Sequence, residues 1–167
     1  MVKICLSDNL RSILVSNNIS PEKEYIPAYG GESAGLDLYN CGETIHIRPS
    51  NYKPAVSENV NNKVLIPTGI KVNVPRGYVA LVQERGSVTK TPLKVRAGVI
   101  DSGYTGEVFV NCINTGPDAY TIYRNSKLPF QIVVVKCDNE FQVVTEEEYL
   151  DLTSSAQRQK GQVGSSD

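Results

Sequence analysis

Val64-Leu65-Ile66-Pro67-Thr68-Gly69-Ile70-Lys71-Val72-Asn73-Val74-Pro75-Arg76-Gly77-Tyr78-Val79-Ala80-Leu81-Val82 reads as three short strands joined by two turns. Val64 to Ile66 leads into Pro67-Thr68-Gly69, Ile70 to Val74 into Pro75-Arg76-Gly77, and Tyr78 to Val82 follows. β-Branched residues favour the pleated backbone, and Pro with Gly marks the joints. The texture continues outward in both directions. Val2 to Leu6, Gly35 to Tyr39 and Thr44 to Ile47 precede it; Val108 to Ile113, Tyr120 to Tyr123, Ile132 to Lys136 and Phe141 to Val144 follow. Runs so short and numerous predict an all-β sandwich or barrel-like fold.

One short helix is expected. Thr145-Glu146-Glu147-Glu148 matches a capping box with acids in the first turn, ahead of Tyr149, Leu150 and Leu152. Ser50 to Lys63 is rich in Asn, Ser and Pro and reads as an exposed loop. From Ser154 to Asp167 the chain is polar and reads as a flexible arm. The expected organisation is one β domain over 1–153 and a C-terminal arm over 154–167.

The chain has 167 residues, 40% of them hydrophobic, enough for one core. The net charge of -1 argues against broad electrostatic capture of nucleic acid or of an anionic membrane. It leaves room for a local cationic pocket. Cys5, Cys41, Cys112 and Cys137 are far apart, and His46 is the single histidine, so a zinc site is not expected. Reduced thiols in a cytosol-like compartment are. The first apolar stretch is too short for a signal peptide, and no run approaches the ~20 apolar residues of a membrane helix. A soluble, cytoplasmic protein is expected, in the host-cell cytosol if the chain is a phage or viral copy.

Five segments carry chemistry. Gly98-Val99-Ile100-Asp101-Ser102-Gly103-Tyr104-Thr105-Gly106 reads as a glycine-rich hairpin whose backbone could meet the edge of a flat base. Asp101 sits beside the turn, and the Tyr104 ring could lie against a sugar; alone, the segment equally suits a plain hairpin. In Ala34-Gly35-Leu36-Asp37-Leu38-Tyr39 an acid interrupts an apolar strand, costly to bury unless a cation is near. Glu84-Arg85-Gly86-Ser87 offers a guanidinium, backbone N–H groups and a hydroxyl to a phosphate. Gln131 enters the apolar run Ile132 to Val135 and would need hydrogen-bond partners. Arg158-Gln159-Lys160-Gly161-Gln162-Val163-Gly164-Ser165-Ser166 suits an arm folding over an anion.

Together and in this order the five segments resemble the homotrimeric dUTP pyrophosphatase (dUTPase) family, from Ala34 onward. The resemblance implies an all-β jelly-roll protomer, a homotrimer with active sites built from three subunits, and Mg²⁺ as cofactor. It implies that Asp101 activates water for attack on the α-phosphorus of dUTP, releasing dUMP and pyrophosphate. Tyr104 would pack on the deoxyribose, and the backbone of Ala97, Gly98 and Val99 would read uracil. Asp37 would hold Mg²⁺ through water. Arg85, Gly86, Ser87 and Gln131 would grip the phosphates, with Arg158, Gly164, Ser165 and Ser166 closing from the arm. Neither nucleic acid nor membrane is an implied partner.

Three positions depart from the family pattern. Gly86 stands where a serine is usual. One extra residue separates Lys127 from Gln131, leaving the role of Lys127 open. Val163 replaces the aromatic that stacks on uracil, forfeiting roughly 1 kcal/mol of closure. Two other classes stay open: a dCTP deaminase-type enzyme, and a dUTPase-like nucleotide-binding or regulatory protein with reduced activity.

Overall fold

A computed structural model describes residues 2–25, 32–51, 64–138 and 140–155. Its spine is β11, Lys127–Lys136, ten residues that alternate faces. Leu128, Phe130 and Ile132 point into the core and are at most 1% exposed. Lys127, Pro129, Gln131 and Val133 face the other way. β11 lies between β2 (Gly35–Tyr39) and β6 (Tyr78–Glu84), and β8 (Val99–Ile100) completes that sheet in the order β2-β11-β6-β8.

A second sheet holds β4 (Val64–Pro67), β9 (Phe109–Asn114) and β7 (Leu93–Val95). Two pairs flank these sheets: β1 (Lys3–Leu6) with β5 (Ile70–Asn73), and β3 (Ile45–Ile47) with β10 (Tyr120–Ile122). All the ladders are antiparallel. Leu38, Ile47, Ile66, Ile70, Val82, Val110 and Phe130 belong to one shared core. The architecture is the expected all-β, jelly-roll type. No described helix is long and apolar enough to cross a membrane.

The expectation of a single helix needs correction. The capping box at Thr145 is formed, and α3 runs Glu146–Thr153. But α1 (Asp8–Ser16) and α2 (Pro21–Glu24) precede β2, and a 3-10 turn covers Gly86–Lys90. Ser7 caps α1 by accepting from Leu10 N–H, and the turn-spaced Leu10, Ile13 and Leu14 are buried. α1 is therefore held by packing rather than by the propensity of its Asn, Ser and Val.

The strand expected at Phe141–Val144 is absent. Phe141 is 91% and Val143 98% exposed, and these residues join no ladder. A strand needs a neighbour to satisfy its backbone, and among the described residues none is in place. Most of the proposed 50–63 loop, residues 52–63, lies outside the described residues, as does 156–167 of the arm.

The extra residue before Gln131 has a structural home. Tyr39 pairs with Lys127 and Asp37 with Gln131, so two steps along β2 match four along β11. The excess is absorbed as an irregularity in the ladder. It leaves both Lys127 and Gln131 beside Asp37.

Candidate functional site

The family-matched side chains gather in two places. The first is a cavity of about 630 Å³ lined by Lys23, Glu24, Gly35, Asp37, Arg85, Gly86, Lys127 and Gln131, among others. Asp37 leaves β2 on the face opposite the core, where it meets two cations. Arg85 Nε lies 2.6 Å from its Oδ1, and Lys127 Nζ 2.9 Å from its Oδ2. This is how a carboxylate comes to tolerate a mostly apolar strand: it is paired on both oxygens.

Gln131 donates from Nε2 to the Glu84 carbonyl at 3.2 Å, anchoring it next to Arg85. Gly35 makes room for it, because a Cβ there would sit 2.0 Å from Gln131 Oε1. Arg85 donates its backbone N–H to the Pro129 carbonyl, 3.0 Å, so β11 also places the start of the 3-10 turn. Ser87 is exposed on that turn. A Cβ on Gly86 would meet nothing within 4 Å.

The structure brings Lys127, whose role the sequence left open, to this cavity together with Glu24, which the sequence did not single out. Glu24, at the end of α2, is 2.7 Å from Lys127 Nζ and accepts from the Tyr39 hydroxyl at 2.8 Å. Partial burial pushes the Lys127 ammonium down, but Glu24 and Asp37 outweigh it and its pKa is raised. Burial, then the bond to Glu24, pushes Tyr39 up to about 12. The sequence hint was Ser20-Pro21-Glu22, a proline at a helix start, which places a helix but not its contact.

The second place is a cavity of about 290 Å³ lined by Val82, Arg96, Ala97, Gly98, Val99, Asp101, Tyr104, Phe109 and Asn111, among others. The segment Gly98–Gly106 is not a hairpin closed on itself, which corrects the reading from sequence. β7 pairs with β9, whereas β8 pairs with β6. The chain changes sheets at Ala97 and Gly98, which have φ of 58° and 102°. Gly98 carries that bend against Val82, whose carbonyl would be 3.0 Å from an added Cβ.

Beyond the bend, Asp101 is exposed and its carbonyl accepts from Tyr104 N–H at 3.1 Å. Tyr104 donates its hydroxyl to the Glu107 carbonyl at 2.7 Å. An added Cβ on Gly106 would sit 2.6 Å from that hydroxyl oxygen. Tyr104 is thus fixed at both backbone and ring tip, with 44% of the residue exposed beside Asp101. Arg96, Phe109 and Asn111 are further lining residues missed from sequence, because nothing in their local context marks the β7–β9 face as a pocket wall.

The two cavities share no lining residue. The first is lined from β2, β11 and the turn after β6, the second from β8, β6, β4 and β9. Along the strands the outward face of this sheet changes character. Asp37, Gln131 and Gln83 give way to Leu81, Val133, Val99, Val79 and Val135, as the register dictates. Val99 is 67% and Val135 42% exposed. Arg158, Gly164, Ser165 and Ser166 lie outside the described residues.

The chain as a whole has recognisable relatives. The dUTPase family model matches residues 22–167. The chain belongs to the dUTPase family. It is 33% identical over 144 residues to the deoxyuridine 5'-triphosphate nucleotidohydrolase of Chlamydia felis, covering 83% of this chain and 90% of that one. The enzyme of the same name from Fusobacterium nucleatum is 32% identical over 151 residues, covering 87% and 94%. Among solved structures, the Staphylococcus bacteriophage 80alpha dUTPase with dUPNHPP superposes with a TM-score of 0.69 at 22% identity, covering 100% of this chain and 98% of that one. That likeness concerns the fold. For this dUTPase-family chain it means that the jelly-roll frame holds although 22% of the aligned residues are identical.

Proposed function

We propose that this protein hydrolyses dUTP to dUMP and pyrophosphate. The observation that carries the reading is the Asp101–Tyr104 turn: an exposed carboxylate and a pinned aromatic ring beside a nucleoside-sized cavity behind the Ala97–Gly98 bend. Uracil enters against Ala97, Gly98 and Val99, with the deoxyribose on Tyr104, where a ribose 2′-hydroxyl would clash. Asp101 takes a proton from water as the water oxygen bonds to the α-phosphorus. The bond from that phosphorus to the bridging oxygen breaks, and the electron pair leaves with pyrophosphate.

Arg85 and the Gln131 amide hold the phosphates, with the N–H groups at Gly86 and the Ser87 hydroxyl alongside. Arg158, Gly164, Ser165 and Ser166 close over them from the arm, 154–167. No group of three or more His, Cys, Asp or Glu able to hold a metal ion occurs among the described residues. Asp37 would hold a hydrated Mg²⁺ as an outer carboxylate, through water. Bound there, Mg²⁺ supplies charge neutralisation on the triphosphate.

One protomer separates the nucleoside cavity from the phosphate cavity, so the working site is assembled between copies. The apolar strip Leu81, Val99, Val133 and Val135 supplies the contact face, and a homotrimer completes each site. The test is pyrophosphate release from dUTP, dCTP, dTTP and UTP, with and without Mg²⁺. Release from dUTP alone and only with Mg²⁺ is expected. Ammonia from dCTP would identify a deaminase. Tight dUTP binding without release would identify a nucleotide-binding protein.

A further inference from the structure

The cluster around Asp37 contains more charge than the phosphate grip requires. Both Asp37 oxygens are occupied, Oδ1 by Arg85 and Oδ2 by Lys127. Lys127 is also held from a second side. Its ammonium is 2.7 Å from Glu24 Oε1, and Glu24's side chain is only 16% exposed. The Tyr39 hydroxyl donates to the same Glu24 oxygen at 2.8 Å and fixes that carboxylate. The Tyr39 ring lies 5.4 Å from the ammonium, within cation–π range. An ammonium has three N–H donors. Glu24 and Asp37 take two, leaving one for an oxygen in the cavity that Lys127 lines.

We propose that Lys127 is a further phosphate-binding cation of this pocket and that Glu24 is its positioning residue. In the resting protein, Asp37 is clasped by Arg85 and Lys127. An entering polyphosphate accepts from the remaining N–H of Lys127, and Glu24 keeps that ammonium at the cavity wall while it binds. The bulged ladder between Lys127 and Gln131 is what carries the lysine there. The inference rests on the triphosphate reading of this cavity, but its ligand is the polyphosphate and not the base.

The test uses the full chain and its Glu24→Gln, Lys127→Met and doubly substituted forms. Binding of inorganic tripolyphosphate, without Mg²⁺, and of dUMP is measured by calorimetry. Each single substitution should weaken tripolyphosphate about 10-fold, the scale of one charge-assisted hydrogen bond. dUMP binding should stay within about 2-fold, because the nucleoside cavity shares no residue with this one. The double variant should bind tripolyphosphate no more weakly than Lys127→Met alone, since Glu24 acts only through the lysine. In turnover, Glu24→Gln should raise KM for dUTP more than it lowers kcat. Unchanged tripolyphosphate binding in Glu24→Gln, additive losses in the double variant, or an equal loss of dUMP would each overturn the proposal. If the binding results hold while wild type fails to hydrolyse dUTP, the polyphosphate site stands and the dUTP reading falls.

Discussion

As the proposed general base, Asp101 would act on water without being buried. It is exposed on a turn and held by the backbone rather than by a charged partner, so removing its charge should not disturb the fold. Asp101→Asn is expected to lower kcat at least about 100-fold while the melting temperature stays within a degree or two; steady-state kinetics beside a calorimetric melt will check both. Gly86 poses the opposite question. Its missing hydroxyl departs from the family, yet open space surrounds the site of a Cβ and its φ is not left-handed. Gly86→Ser should therefore fold normally and lower KM for dUTP a few-fold, the worth of one added hydrogen bond. The thiols follow from burial. Desolvation, then the nearby Glu107 charge, pushes Cys41 up to about 11, and desolvation pushes Cys112 up to about 12. Iodoacetamide at pH 8 should label exposed Cys5 in the folded protein and spare Cys112. Because the folded-state values lie above the unfolded ones, the linked stability is complete below about pH 8.5 and is lost as pH rises toward 11–12. Denaturant midpoints at pH 8 and pH 10 should fall in that order. Residues such as Asp37, Arg85 and Gln131 were legible because each is a polar group set against an apolar strand. Glu24 was not: it meets Lys127 across 103 positions of chain.

At the scale of elements, two devices build the site. The irregular β2–β11 ladder places Lys127 and Gln131 beside Asp37, and the Ala97–Gly98 bend carries the chain from β7 to β8. Gly98→Ala would force a Cβ into a left-handed residue 3.0 Å from the Val82 carbonyl. A loss of about 1–3 kcal/mol is expected, with weaker dUMP binding and little change in tripolyphosphate binding. Equal weakening of both ligands would show that the bend supports the whole fold and not the nucleoside cavity alone. The turns at Pro67–Gly69 and Pro75–Gly77 and the capping box at Thr145 were legible, since each is local chemistry. The β7–β8 switch was not, because the partners of a two- or three-residue strand are chosen by distant ladders. The solvent-exposed Phe141 and Val143 carry the same lesson: β-forming residues without a neighbouring strand do not make one.

The whole molecule raises the matter of assembly. The residues proposed for the nucleoside and those proposed for the phosphates line two cavities with no residue in common, and Leu81, Val99, Val133 and Val135 share one outward face of the sheet. Sedimentation equilibrium should return three times the 18.3 kDa chain mass, and Leu81→Glu, in the apolar strip, should lower both that mass and turnover. Deleting residues from Ala156 onward should cost turnover and leave the melting temperature nearly unchanged, because that arm is expected to close over substrate rather than fill the core. Full activity in the truncated chain would remove the arm from the mechanism. Period-two apolar runs, Pro–Gly joints and the order of five short motifs determined from sequence alone that this chain is all-β, belongs to the dUTPase family and carries Asp101 on a glycine-rich turn. Each of these signals is written in a few neighbouring residues, and their order is read along the chain. The separation of the two cavities, the pairing of Glu24 with Lys127 and the apolar strip on one face of the sheet were decided only by tertiary structure. Each depends on which strand lies next to which, and that choice is made by the shared core rather than by any one segment.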